Sequence, residues 1–286
     1  FMINPNKKIF LIDGSSYLYR AFHAMPPLTT STGLPTGAVK GVTNMLRNLR
    51  NENPNSHYLA IFDAKGKNFR HSIYKDYKAN RPPMPPELRE QLAPLKSICN
   101  AMGMPVVEIP DVEADDVIAT LTHKFGVPLK NSTTEKILIL SSDKDFMQLQ
   151  KFANVEQYSP MGKKFLRTNT PEAFLKEHII RGDRSDGIPN FMSSDDTFVT
   201  EARQKPVTEK KLNKWLEEEP ESFCDEVMLR NYKRNELLID LSKIPTEYQE
   251  KILDAYDNTP KRGREKLLNY FIQNRMKQLM EHIQEF

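Results

Sequence analysis

Cysteine is nearly absent: the two residues present in 286, Cys99 and Cys224, cannot build a disulfide framework, and a reducing cytoplasm is the expected location. No apolar run approaches the ~18 to 20 residues of a membrane-crossing helix, and the mean hydropathy is -0.60, so a soluble chain without a membrane partner is expected. Neither sign of charge dominates. Lys and Arg number 41 against 38 Asp and Glu, and the net +3 is too small to imply a nucleic-acid partner by itself. Internal repeats and low-complexity tracts are also missing. What remains is 38% hydrophobic and long enough for one large domain or two modest ones.

The apolar residues are organised in short runs that end in acids. Ile9 to Ile12 leads into Asp13, Tyr58 to Phe62 into Asp63, Ile137 to Leu140 through two serines into Asp143, and Val106 to Ile109 stops before Asp111. Short continuous runs separated by helix-period segments predict parallel strands buried on both faces, hence an α/β fold. Helical spacing covers Tyr17–Arg20, Val39–Leu49 and Leu88–Met102, whereas Arg81 to Pro86 carries four prolines and predicts an extended connector. A helical stretch is expected after Asp145, then a turn near Tyr158–Gly162, a helix from Pro171 to Ile180, a loop over 181–190, and mostly helix beyond. A soft boundary falls near 180.

Ligands of open parallel sheets bind beyond the carboxyl ends of the strands, where Asp13, Asp63 and Asp143 would lie. Glu113, Asp115 and Asp116 follow the third run and would face the same edge. Taken alone they also fit the acidic first turn of a helix. Asp145, Asp183 and Asp186 add further carboxylates. His and Cys ligands are missing from these motifs, which argues against zinc and for hard cations, Mg²⁺ or Mn²⁺. Two such ions about 3.5 to 4 Å apart suit phosphodiester hydrolysis. An aspartyl phosphatase is the competing enzyme, but Asp13 is followed by Gly14-Ser15 rather than a second acid two residues on. Residues 65 to 89 interleave seven cations with Phe69, Tyr74 and Tyr77. They read either as a solvated amphipathic face or as a segment in which Arg70, Lys78 and Arg81 take phosphates while Tyr77 offers a ring to a base. Arg20 would approach the same site from beneath.

These residues resemble a known family. Leu11-Ile12-Asp13-Gly14-Ser15-Ser16-Tyr17, Phe62-Asp63-Ala64-Lys65-Gly66-Lys67, Tyr77-Lys78-Ala79-Asn80-Arg81-Pro82 and Val112-Glu113-Ala114-Asp115-Asp116-Val117 resemble the 5′-nuclease domain of bacterial DNA polymerase I. From Ile139-Leu140-Ser141-Ser142-Asp143-Lys144-Asp145 onward the chain looks more like phage RNase H, and both belong to the flap endonuclease superfamily. The resemblance implies a PIN-like α/β core with a mostly parallel twisted sheet over residues 1–180, a helical arch over the active site at about 68–93, and a helical DNA-binding region over 181–286. It implies a first metal held by Asp13, Asp63, Glu113 and Asp115 with Asp116 close by, and a second held by Asp143, Asp145 and Asp186 with Asp183 nearby. Lys78 and Arg81 match cations that contact the scissile phosphate; Arg20, Arg70 and Tyr77 match substrate-contacting positions. The implied activity is that of a structure-selective 5′-3′ exonuclease and flap endonuclease using two Mg²⁺ ions, with Mn²⁺ as a substitute. It would act as a monomer on branched or 5′-ended DNA and RNA–DNA duplex, in a bacterial or phage-infected cytoplasm, with a single-strand-binding protein or sliding clamp as further partner. The alternatives are a catalytically inactive scaffold for branched nucleic acid and a PIN-type single-strand ribonuclease.

One departure stands out. After Asp186-Gly187-Ile188-Pro189 the bacterial relatives carry a glycine-rich hairpin that grips duplex DNA, whereas here no glycine occurs between Ile188 and Arg262. Arg203, Lys205, Lys210, Lys211 and Lys214, or the basic loop Lys261 to Arg264, are the replacements to examine.

Overall fold

The computed structural model describes residues 8–129, 131 and 134–259. The basic loop at 261–264 and the end of the C-terminal region lie outside the described residues.

The apolar runs form the strands expected of them. β1 (Lys8–Asp13) pairs in parallel with β2 (His57–Ile61) and with β4 (Lys136–Leu140), and β2 pairs in parallel with the two-residue β3 (Val106–Val107). Successive strand residues point to opposite faces, and each face has its own core. Phe10, Ile12, Tyr58, Ala60, Leu138 and Leu140 pack under α1 (Gly14–Ala24), α2 (Gly37–Glu52) and α5 (Leu92–Ala101). Ile9, Leu11, Leu59, Ile61, Ile137 and Ile139 pack under α6 (Ala114–Phe125) and a 3₁₀ helix (Lys144–Lys151). Burial on both faces explains why these runs show no polar alternation.

The structure corrects the sequence reading after Asp145. The helical stretch is only that 3₁₀ helix, and two strands follow it: β5 (Val155–Ser159), parallel to β4, and β6 (Lys164–Leu166), antiparallel to β5. The sheet order is β3-β2-β1-β4-β5-β6. Val155 to Ser159 alternates buried and partly exposed residues, a period-two pattern masked by its Glu and Gln. α7 (Pro171–Arg181) follows, and one 3₁₀ turn (Arg184–Asp186) sits in the expected loop.

The segment at 68–93 also differs from a helical arch. It holds two single turns, α3 (Arg70–Ile73) and α4 (Pro86–Arg89), and the first residues of α5, with no helix between the two turns. Lys78 has φ 57°, and the prolines at 82, 83, 85 and 86 remove backbone donors, so a helix cannot run through.

Beyond 190 the chain is irregular as far as α8 (Glu209–Leu216), after which come α9 (Pro220–Phe223), α10 (Glu226–Ile239) and α11 (Thr246–Asp257). The irregular stretch is pinned without glycine. Asn190 donates from its side chain to the Lys205 carbonyl at 2.7 Å and from its backbone to Gln204 Oε1 at 2.8 Å, and Ser193 Oγ accepts from Lys205 N. The boundary near 180 does not separate the cores: Leu241, Ile244 and Ile252 complete the second face of the sheet. Among the described residues no helix is long and apolar enough to cross a membrane.

Candidate active site

The acids gather where the strands end. Asp13 closes β1 and is 4% exposed; its Oδ1 accepts from Ser16 N at 3.1 Å and its Oδ2 from Ser141 Oγ at 2.7 Å. Asp63 follows β2, its backbone N–H held by Ser15 Oγ and its Oδ1 accepting from Ala114 N at 2.8 Å, which ties it to the start of α6. Asp143 follows β4 and caps the 3₁₀ helix by accepting from Asp145 N at 3.0 Å. Glu113, Asp115, Asp145, Asp183 and Asp186 line one small cavity with Arg70 and Tyr77. Ser15, Ser141 and Gln157, which donates to the carbonyls of Ser141 and Asp143, are supports that sequence reasoning missed.

So many carboxylates perturb one another. Burial, then the charges of Asp63 and Asp143, push Asp13 up to about 7. Burial, then Asp143, pushes Asp145 to about 7, and burial with Asp143, Asp13, Glu113 and Asp63 raises Asp115 well above its usual range. This donor set of hard oxygens whose mutual repulsion a cation would relieve fits divalent metal ions. Asp13, Asp63, Asp115, Asp143, Asp145 and Asp186 are the residues able to hold them.

Several expected ligands have protein partners: Asp186 accepts from Tyr77 OH at 3.2 Å beside its pair with Arg81, Asp183 Oδ1 accepts from Ser185, and Asp116 and Glu113 are engaged most closely. Asp116 is fully buried; its Oδ1 accepts from Arg70 Nη2 at 2.6 Å and its Oδ2 from Arg70 Nη1 at 2.8 Å and from Glu113 N at 2.9 Å. Neither oxygen is free for a metal, so Asp116 positions Arg70 and caps α6. Glu113 accepts from Lys78 Nζ at Oε1 and from Tyr77 OH at 2.9 Å at Oε2. Burial acts to raise its pKa, but Lys78 and Arg70 outweigh it and hold the carboxyl down to about 2.

The expected substrate contacts divide in the same way. Arg70 is 2% exposed and also donates to the Leu238 carbonyl at 2.9 Å, so its guanidinium is walled in. Tyr77 is 3% exposed and packs in a third core with Tyr74, Ile180, Phe191 and Trp215, so its ring cannot stack on a base. At these two positions the stretch is neither a solvated face nor a substrate contact: the polar tips of Arg70 and Tyr77 serve the acid cluster, and the Tyr77 ring serves the core. Lys78 and Arg81 instead reach the cluster: Lys78 pairs with Glu113 and lies 3.8 Å from Asp186, and half-exposed Arg81 pairs with Asp186. Arg20 is exposed and lines a cleft of about 610 Å³ together with Asp143, Lys144, Asp145, His178, Asp183 and Arg184.

The turn bearing Lys78 interlocks with the acid loop. Lys78 N donates to the Asp186 carbonyl at 2.8 Å, Asn80 Nδ2 to that of Arg184, and Arg81 Nε to that of Ser185. Gly187, at φ 70°, fits against this turn; a Cβ there would stand 2.9 Å from Asn80 Oδ1.

A histidine overturns the expectation that such ligands are missing. His178 on α7 lies 3.2 Å from Asp145 and 3.3 Å from Asp183, and ligand atoms of the three fall within 4.8 Å of one another. Its signal in the sequence was faint: a polar residue on a helix leading into an acid loop.

Comparison with known proteins shows the family and the fold. Residues 8–178 match the family of the 5′-3′ exonuclease N-terminal resolvase-like domain, and residues 169–286 match the T4 RNase H C-terminal family. The DNA polymerase I of Pseudomonas aeruginosa is 45% identical over 188 residues, 63% of this chain and 20% of that one. A 5′-3′ exonuclease of Aquifex aeolicus is 39% identical over 189 residues, 65% of this chain and 61% of that one. The chain thus spans less than two thirds of these relatives. The fold is similar to that of T5 5′-exonuclease solved with divalent zinc, with TM-score 0.58 and 16% identity over 93% of this chain and 97% of that one. It is equally similar to bacteriophage T5 flap endonuclease in a pseudo-enzyme-product complex with DNA and metal ions, with TM-score 0.58 and 18% identity over 88% of this chain and all of that one.

Proposed function

Because the chain belongs to the 5′-3′ exonuclease family, we propose that it hydrolyses phosphodiesters at the 5′ ends and 5′ flaps of DNA or RNA in replication or repair. The observation that carries this reading is the gathering of Asp13, Asp63, Asp115, Asp143, Asp145 and Asp186 at one edge of the sheet, faced by Lys78 and Arg81. Two divalent ions, Mg²⁺ in this proposal, would be held by these acids and would activate the attacking water and neutralise the phosphate.

The chain's own residues do the rest. Lys78 and Arg81 pair with Glu113 and Asp186, and an incoming phosphate exchanges for these carboxylates, so the cations share the charge that develops on its oxygens. The interlocked turn fixes both at a set distance from the acid loop. Arg20 and the exposed Arg203, Lys205, Lys210, Lys211 and Lys214 contact the phosphate backbone, which orients the duplex without reading its sequence. The pinned stretch at 190–205 stands where the bacterial relatives have their glycine-rich hairpin. The two family matches support 1–180 as the nuclease core and 181–286 as the DNA-binding region, with Asp186 and the apolar residues Leu241, Ile244 and Ile252 of the second region completing the first. Action as a monomer, and recruitment by a single-strand-binding protein or clamp, rest on the resemblance.

The test is cleavage of a 5′-labelled flap substrate beside an unbranched duplex and a single strand, in Mg²⁺ and in EDTA, by the wild type and by Asp143→Ala. Metal-dependent release at the flap junction, lost in the variant, is expected. Tight binding without cleavage in either Mg²⁺ or Mn²⁺ would assign the chain to inactive scaffolds, and cleavage confined to single-stranded RNA would assign it to PIN-type ribonucleases.

A further inference from the structure

Asp183 is the most fully occupied carboxylate of its cluster. Its Oδ1 accepts from Ser185 N at 2.8 Å, Ser185 Oγ at 2.7 Å and Asp186 N at 3.4 Å, while its Oδ2 faces His178 Nε2 at 3.3 Å. That leaves little of Asp183 for a cation and makes it a fixed acceptor for an imidazole N–H. The opposite ring nitrogen is the unusual one. Nδ1 of His178 is buried and has no hydrogen-bond partner among the described residues, yet lies 3.2 Å from Asp145 Oδ1. The two ring nitrogens thus face different carboxylates, Nε2 toward Asp183 and Nδ1 toward Asp145. The ring is held edge to face by Phe174, one helical turn earlier, with centroids 6.1 Å apart.

We propose that His178 Nδ1 is a nitrogen ligand of the cation held by Asp143 and Asp145, with Asp183 orienting the ring through Nε2. This rests on the metal-dependent reading above and deepens it. Two ligands at right angles on an ion with bonds of about 2.1 Å stand about 3 Å apart, close to the spacing of Nδ1 from Asp145 Oδ1. A carboxylate behind a ligating histidine selects the tautomer and makes the free nitrogen a better donor. The consequence is chemical selectivity. An all-oxygen site suits Mg²⁺, whereas a mixed nitrogen and oxygen site favours first-row ions such as Mn²⁺ or Zn²⁺.

The experiment is pulsed electron paramagnetic resonance of Mn²⁺ bound to the full chain, with calorimetric titration of Mn²⁺ and Mg²⁺. The expected result is a ¹⁴N coupling on bound Mn²⁺ that is replaced by ¹⁵N when only the histidines are ¹⁵N-labelled, a comparison that needs no substitution. In His178→Gln the coupling disappears and Mn²⁺ binds roughly tenfold or more weakly, the size of loss already seen when an outer partner of a metal ligand is removed. Mg²⁺ affinity should move far less. Mn²⁺ bound with no nitrogen coupling, or an unchanged Mn²⁺ affinity in His178→Gln, would overturn the assignment of His178 while leaving the metal-dependent reading intact. Failure of the wild type to bind either ion would overturn both.

Discussion

Two charged clusters of this molecule are built on opposite rules. At the sheet edge, Asp13, Asp115, Asp143 and Asp145 face one another; the donors to Asp13 and Asp143 are a serine hydroxyl and backbone N–H groups, which carry no full charge, so negative charge is left over. On the helical side, Asp195 lies between Arg230 and Arg234, and Tyr74 donates to the Asp195 carbonyl at 2.6 Å, so each charged group has a fixed protein partner. The second cluster fastens α10 to the segment before Lys78. The difference teaches that it is not the number of charges that marks a binding site but the imbalance that the protein leaves for something else to correct.

Substitutions can break this contrast, beginning with the largest effect. Asp143→Asn should lower single-turnover flap cleavage about a thousandfold while raising the melting temperature measured in EDTA, because one source of repulsion is gone. A loss of both activity and stability would make the acid edge structural. Lys78→Ala should reduce the cleavage rate constant about a hundredfold, the scale of one electrostatic stabiliser, with little change in DNA affinity. Saturating Mg²⁺ or Mn²⁺ should stabilise the wild type by about 2.7 kcal/mol at a hundred times the dissociation constant, and Asp143→Asn by clearly less, read as thermal shift.

The balanced cluster should respond in the other way. Arg234→Met leaves Asp195 with Arg230 alone; because Asp195 is 36% exposed, solvent screens the loss to about 1 to 2 kcal/mol by urea unfolding, with cleavage retained. The smallest effect is in pH. Hydrogen bonds from Arg230, opposed by burial and joined by Arg234, hold the Asp195 carboxyl below its usual range. A depressed acid contributes stability above the ordinary carboxylate pKa and loses it as pH falls through the folded value. The stability gap between the wild type and Asp195→Asn should therefore be full at pH 6 and narrow below about pH 4. A gap that widens toward acid would reverse the sign of this account.

The parts legible in the sequence were those that bury on both sides. The runs before Asp13, Asp63 and Asp143 are uniformly apolar because each face of their strands meets a core, and that uniformity points to the acids at their ends. β5 escaped because half of it is wet. The roles of Arg70 and Tyr77 escaped for another reason: a cation in a basic stretch looks solvated unless its partner is known, and Arg70 finds Asp116 46 residues along the chain. Asp115 and Asp116 look equivalent as neighbours, but consecutive helical residues point about 100° apart, and only Asp115 keeps company with Asp13 and Asp143. His178 carries no motif; its meaning comes entirely from where α7 sets it down.

The fit of Gly187 against Asn80 has a mechanical consequence. With the Lys78 turn hydrogen-bonded to the carbonyls of Arg184, Ser185 and Asp186, and Tyr74 and Tyr77 rooted in the core, everything up to Arg81 belongs to the chassis. Residues 79–84 are exposed, and the prolines at 82, 83, 85 and 86 carry no backbone donors to anchor them. Lys78 and Arg81 therefore stand on backbone joined to the acid loop, and it is that joint, not the exposed proline-rich span beyond it, that sets how far the two cations reach.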